Sequence, residues 1–116
     1  MSEQPGLEIT DEYMQEMLQK TKPYSIVVLR KGPNYSSPDG PATVWEHGRR
    51  NFELRAAGSL AVVLPVGGDS DVRGVGIFTT DPDETRSIME GDPAVRAGLL
   101  SYEVYPSRSF PGDALP

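Results

Sequence analysis

Between residues 24 and 106 the chain alternates two kinds of hydrophobic pattern, and their order leaves few folds open. "YSIVVLR" (24–30) is a continuous, β-branched run that predicts a strand buried on both faces. A helix is expected over 42–57, closing at Gly58, a residue suited to the left-handed position that ends helices. "SLAVVLPV" (59–66) and "VGIFTT" (75–80), joined by the turn-rich "GGDSDVRG", read as a β-hairpin. "TDPDETRSIMEG" (80–91) then carries helix-start chemistry: Asp81 to cap, Pro82 at the first helical position, Glu84 to complete a capping box and Gly91 to stop. "DPAVRAG" (92–98) repeats the device with Asp92, Pro93 and Gly98, and "LLSYEVYP" (99–106) is the last strand. Strand, helix, strand, strand, helix, strand is the split βαβ pattern, an α+β ferredoxin-like domain with a four-stranded antiparallel sheet. Its two helices can cover only one face of that sheet, so a homodimer is expected to cover the other.

The domain is expected to span 24–106. Residues 1–23 are set apart as a mobile tail (1–9) and a peripheral helix over 11–20. Thr10 offers the helix a cap, Asp11 and Glu12 suit the positive end of its dipole, and Pro23 ends the segment. Met14 and Met17 are expected to pack it onto the domain. "KGPNYSSPDGPA" (31–42) is a long loop stiffened by proline, and 107–116 is too rich in proline and glycine for regular structure. A net charge of −6 argues against nucleic-acid binding, which needs a basic surface. With no cysteine, disulfides, thiolate nucleophiles and cysteine-type zinc sites are excluded. "MSEQPGLEIT" has neither the basic nor the apolar segment of a signal peptide, and no run nears the roughly 20 apolar residues that cross a bilayer. The chain reads as cytoplasmic, with no membrane partner.

"VWEHGRRNF" (44–52) holds the single histidine, His47. At about 100° per residue, Trp45, Gly48, Phe52 and Ala56 share one helix face, taken as the side packed on the sheet. His47 projects away from it, near Asn51 and Leu54, toward either a cleft or solvent. A histidine exchanges protons near neutral pH, and a carboxylate on one ring nitrogen fixes its tautomer. Asp92 is first of all a helix cap, but with two oxygens it can cap and hold an imidazole at once. Arg49 and Arg50 could bind an anionic substrate, or be a solvated helix face. Tyr24, Tyr35 and Tyr102 could line a pocket or simply pack. Arg96 is placed to pair with Asp92. Asp69 and Asp71 lack the register of a calcium loop, and Gly67-Gly68 and Gly74-x-Gly76 lack the strand–turn–helix setting of a nucleotide fingerprint. Neither a metal nor an organic cofactor is called for.

"GVGIFTTDPDETRSIMEGDPAVRAGLLSYEVYP" closely resembles the YCII-related family, with its glycine-flanked strand, its acidic "E-x-D-P-x-x-x-A-G" stretch and its final "E-V-x-P" strand. "HGRRNFELRAAGSLAVVLPV" resembles the family's first helix, in which a histidine precedes "A-G" and an apolar strand. The resemblance covers 24–106. It implies dimers of ferredoxin-like subunits with a cleft near the interface, and a histidine–aspartate pair proposed as an active site, here His47 and Asp92. One relative of the family is a dehydrochlorinase acting on a chlorinated hydroxyquinol. The family's last strand often reads "E-V-H-P"; Tyr105 stands there instead, which removes the second imidazole of a two-histidine metal site. The reaction expected is proton transfer of the lyase or elimination type on a small organic acid or phenol, with Arg49, Arg50, Tyr24 and Tyr102 as substrate-binding candidates. Two other readings stay open. One is a non-catalytic small-ligand-binding or accessory subunit using the same cleft; the other is an interaction module that clasps a partner with its terminal segments.

Overall fold

The computed structural model describes residues 8–116. Along the chain run α1 (Asp11–Leu18), β1 (Lys22–Lys31), α2 (Gly40–Ala56), β2 (Leu60–Pro65), β3 (Val72–Phe78), α3 (Pro82–Glu90), α4 (Pro93–Arg96) and β4 (Leu100–Ser109). The strands form one antiparallel sheet in the order β2-β3-β1-β4, so the fold is the α+β arrangement expected from the pattern. No helix of the described residues is long and apolar enough to cross a membrane. Of the mobile tail expected over 1–9, residues 1–7 lie outside the described residues.

Local chemistry sets most of the element ends. Thr10 caps α1 by accepting from the Tyr13 amide, and Asp81 caps α3 by accepting from that of Glu84. Gly58 and Gly98 follow helices with φ of 83° and 73°, a backbone shape that costs glycine nothing. The core lies on one side of the sheet, where Val27, Leu29, Leu60 and Phe78 meet Met89, Ala94, Leu99 and Leu100. Ser25 is buried with them, its hydroxyl donating to the Thr80 carbonyl at 2.8 Å.

Four expectations about the strands and α1 need correction, and a fifth concerns α2. β1 is not buried on both faces: Ser25, Val27 and Leu29 are buried, but the alternate residues Ile26 and Val28 are only half-buried, because no helix among the described residues covers that side. β4 runs on to Ser109, inside the segment expected to be irregular, because residues 107–109 pair with Lys22–Tyr24. β3 begins at Val72 rather than 75 and ends at Phe78. Finally, α1 buries no residue; Met14 is half exposed and Met17 half-buried, so the methionines do not dock the helix as expected.

α2 is turned opposite to its hydrophobic pattern. Trp45 is 71% exposed and Phe52 67%, whereas His47 is 9% exposed and Gly40 is buried. The inward stripe is Gly40, Thr43, His47, Arg50, Asn51 and Leu54, the spacing of one helix face. This face packs on α4, where it meets a buried carboxylate, so polar groups rather than aromatic ones set its phase.

Candidate active site

The buried carboxylate is Asp92, only 1% exposed. Its Oδ2 accepts from the Ala94 and Val95 amides at 3.0 and 3.2 Å, which caps α4. Its Oδ1 lies 2.7 Å from His47 Nδ1. One carboxylate thus caps a helix and holds an imidazole, each through its own oxygen. Burial alone would raise the Asp92 carboxyl; the His47 hydrogen bond and charge, with the Val95 and Ala94 amides, outweigh it and hold the pKa below the usual aspartate value. Asp92 is therefore ionised at neutral pH, so Nδ1 carries the proton it shares with Oδ1. In the neutral imidazole this leaves Nε2 as the acceptor, and the Asn51 amide nitrogen lies 3.3 Å from it.

The loop after β1 fixes α4 in place. The Gly32 and Asn34 amides donate to the Leu99 and Gly98 carbonyls at 2.8 Å each, and Asn34 Nδ2 donates to Ala97 O. A Cβ on Gly32 would sit 2.3 Å from the Gly98 carbonyl oxygen, so only glycine allows this approach.

His47 and Asn51 border a cavity of about 870 Å³ between α2 and the sheet. Its floor is Val27, Leu29, Phe78 and the bare backbone of Gly74 and Gly76; its roof is Val44, Phe52 and Arg55 on α2. Tyr35 and the tail residues Asp113–Leu115 also border it. Apolar walls with few polar groups describe a small-molecule pocket. The ring of His47 spans the boundary: Nδ1 faces Asp92, which does not line the cavity, and Nε2 faces Asn51, which does.

The other site candidates scatter. Arg50 lies behind the pair, its Nη1 buried, without a hydrogen-bond partner among the described residues and 3.9 Å from Asp92 Oδ1. It takes the place beside Asp92 expected of Arg96, which is exposed. Arg49 turns outward and pairs with Glu46 at 3.1 Å. Tyr24 is on the uncovered sheet face, and Tyr102, on the covered face opposite Leu29, gives its hydroxyl to Glu90. Arg49, Arg50, Tyr24 and Tyr102 do not line the cavity. Tyr105 pairs with Ile26, which puts it on the sheet face away from His47. Asp71 accepts from Arg30 at 2.9 Å. Asn51 and Arg55, not among the sequence candidates, border the cavity. Their signal was spacing: residues four and eight after His47 share its side of a helix.

No family model matches the chain, and no curated protein matches it. Among solved structures it is similar to 5-chloro-2-hydroxyhydroquinone dehydrochlorinase (TftG) from Burkholderia phenoliruptrix AC1100, in complex with 2,5-dihydroxybenzoquinone. The identity is 20% and the TM-score 0.47, over 70% of this chain and 90% of that one.

Proposed function

We propose that this chain is an enzyme of the YCII-related kind that moves a proton with a His47–Asp92 pair, in lyase or elimination chemistry on a small organic acid or phenol. One observation carries the reading: Asp92 occupies Nδ1 and leaves Nε2 as the acceptor at the edge of an apolar cavity. Nε2 takes a proton from an acidic C–H or O–H, and Asp92 stabilises the imidazolium that results. The imidazolium then returns the proton to the leaving group or to solvent. Arg50 does not line the cavity and stands 3.9 Å behind Asp92 Oδ1, so it is given no part in the proton transfer. Exchange of solvent deuterium into enolisable β-keto acids and phenols tests this without knowledge of the substrate. The wild type is expected to accelerate exchange by about 10² or more, and His47→Gln to abolish it. No exchange above buffer for any of these probes would overturn the reading.

A second reading, a non-catalytic ligand-binding or accessory subunit, is favoured by Asn51, whose amide already meets Nε2. It expects His47→Gln to keep ligand affinity.

We also propose a homodimer. Ile26, Val28, Val62, Leu64, Val75 and Ile77 share an apolar sheet face with no layer over it among the described residues. Sedimentation at micromolar protein should give the mass of two chains; a monomer would overturn it.

A further inference from the structure

We infer that the cavity takes an elongated, mostly apolar monocarboxylate, its anionic end on Arg55 and its far end at His47. Two arginines border the cavity, and they are not equivalent. Arg73 is spent on its own strand and turn: Nε donates to Val72 O, and Nη2 to Gly68 O and Ser70 O. Arg55 has no such anchor and no ion pair among the described residues; its guanidinium lies over the Phe52 ring, 5.5 Å from the centroid. A guanidinium held against an aromatic face at the wall of an apolar cavity keeps its donors for a planar anion.

Length follows from the helix. Arg55 stands eight residues after His47, which at 1.5 Å per residue separates their backbones by about 12 Å along α2. That span is too long for one ring and fits an extended chain or a ring with an acid-bearing arm. Between the two ends, Gly74 and Gly76 remove side chains from the floor. A Cβ on Gly76 would come within 3.2 Å of Leu60 Cδ1 and 3.3 Å of Phe78 Cε1, so a side chain there would push both of these cavity-lining groups toward the ligand space. The glycine pair with no place in a nucleotide fingerprint thus has one as a floor. Asp113 is the acidic group on the cavity's border and disfavours a second negative charge, so one carboxylate fits better than two. The anionic end rests on Arg55 alone; a reactive far end rests on the proton-transfer reading above.

The test is a ladder of straight-chain carboxylates from butyrate to dodecanoate, kept below micelle formation, against the matching alcohols. Binding to the full chain is measured by calorimetry, and the His47 imidazole resonances are followed by NMR. Affinity is expected to climb by up to about fourfold per methylene. Only the longer acids are expected to move the His47 resonances. Arg55→Gln should weaken the carboxylates about tenfold or more and leave the alcohols unchanged, with Arg55→Lys in between. Gly76→Val should weaken both series. Equal losses for acids and alcohols in Arg55→Gln, or acids binding no better than alcohols, would overturn the inference; so would no binding by either series. Acids that bind as expected while deuterium exchange is absent would leave this inference standing and remove the catalytic reading.

Discussion

Asp92 and Glu103 are wired almost alike and sit in opposite surroundings. Each uses both carboxylate oxygens. Asp92 holds His47 and two amides; Glu103 takes Arg30 Nε on Oε1 and the Tyr105 hydroxyl on Oε2, each at 2.6 Å. Both carboxyls lie below their ordinary pKa, Glu103 through the hydrogen bonds from Tyr105 and Arg30. Asp92 is sealed between α2 and α4, however, whereas Glu103 stands on the open sheet face with its side chain 40% exposed. Water can replace either partner of Glu103 at little cost. Water cannot reach Asp92 to replace its partners, and its field is weakly screened. A hydrogen-bonded charge cluster becomes a candidate site here through burial beside a cavity, not through its wiring.

That contrast can be attacked in four ways. The largest effect is expected from His47→Gln on solvent-deuterium exchange, a loss of about 10² or more, with folding kept. Glu103→Gln should leave exchange untouched. Next, Asp92→Ala strands Arg50 and the imidazole and removes the α4 cap, and should cost about 3–5 kcal/mol in denaturant unfolding. A loss no larger than that of Glu103→Gln would erase the distinction between the two clusters. Acid unfolding sharpens it. Asp92 titrates lower when folded than when unfolded, so its contribution is complete above the ordinary value of 3.8 and is lost as pH falls through the folded pKa. The stability of the wild type should therefore drop below about pH 4, and Asp92→Asn should flatten that limb more than Glu103→Gln does. The smallest effect is Glu103→Gln on the unfolding midpoint, expected to be undetectable in dilute protein. A loss that grows with protein concentration would place Glu103 inside the dimer interface.

The Asp81-Pro82 and Asp92-Pro93 starts, and the Gly58 and Gly98 stops, were legible because each is a property of adjacent residues. The orientation of α2 was not. Trp45 and Phe52 form the more hydrophobic face, yet the buried face is His47 with Arg50 and Asn51, because their partner is a carboxylate 45 residues away. The last residues of β4 were hidden for a similar reason: "SRS" forms strand only because Lys22–Tyr24 lies alongside. His47 and Asp92 could be paired in advance through the family-like motif, not through phase. Arg55 could be weighed above Arg49 only once the cavity showed which side of α2 faces a ligand.

The double duty of Asp92 has a consequence on an evolutionary timescale. Losing its carboxylate takes away the cap of α4 along with the partner of the imidazole, so selection for a folded chain protects it even where no chemistry is under selection. His47 is tied to the fold only as the donor to Asp92 Oδ1, a role that a glutamine amide can also fill. Lineages that lack the proposed reaction should therefore keep aspartate before proline at this turn and let the histidine be replaced by another donor. Among descendants, an Asp-Pro that keeps its cap while glutamine faces it on α2 would be the mark of a chain without the proposed proton transfer.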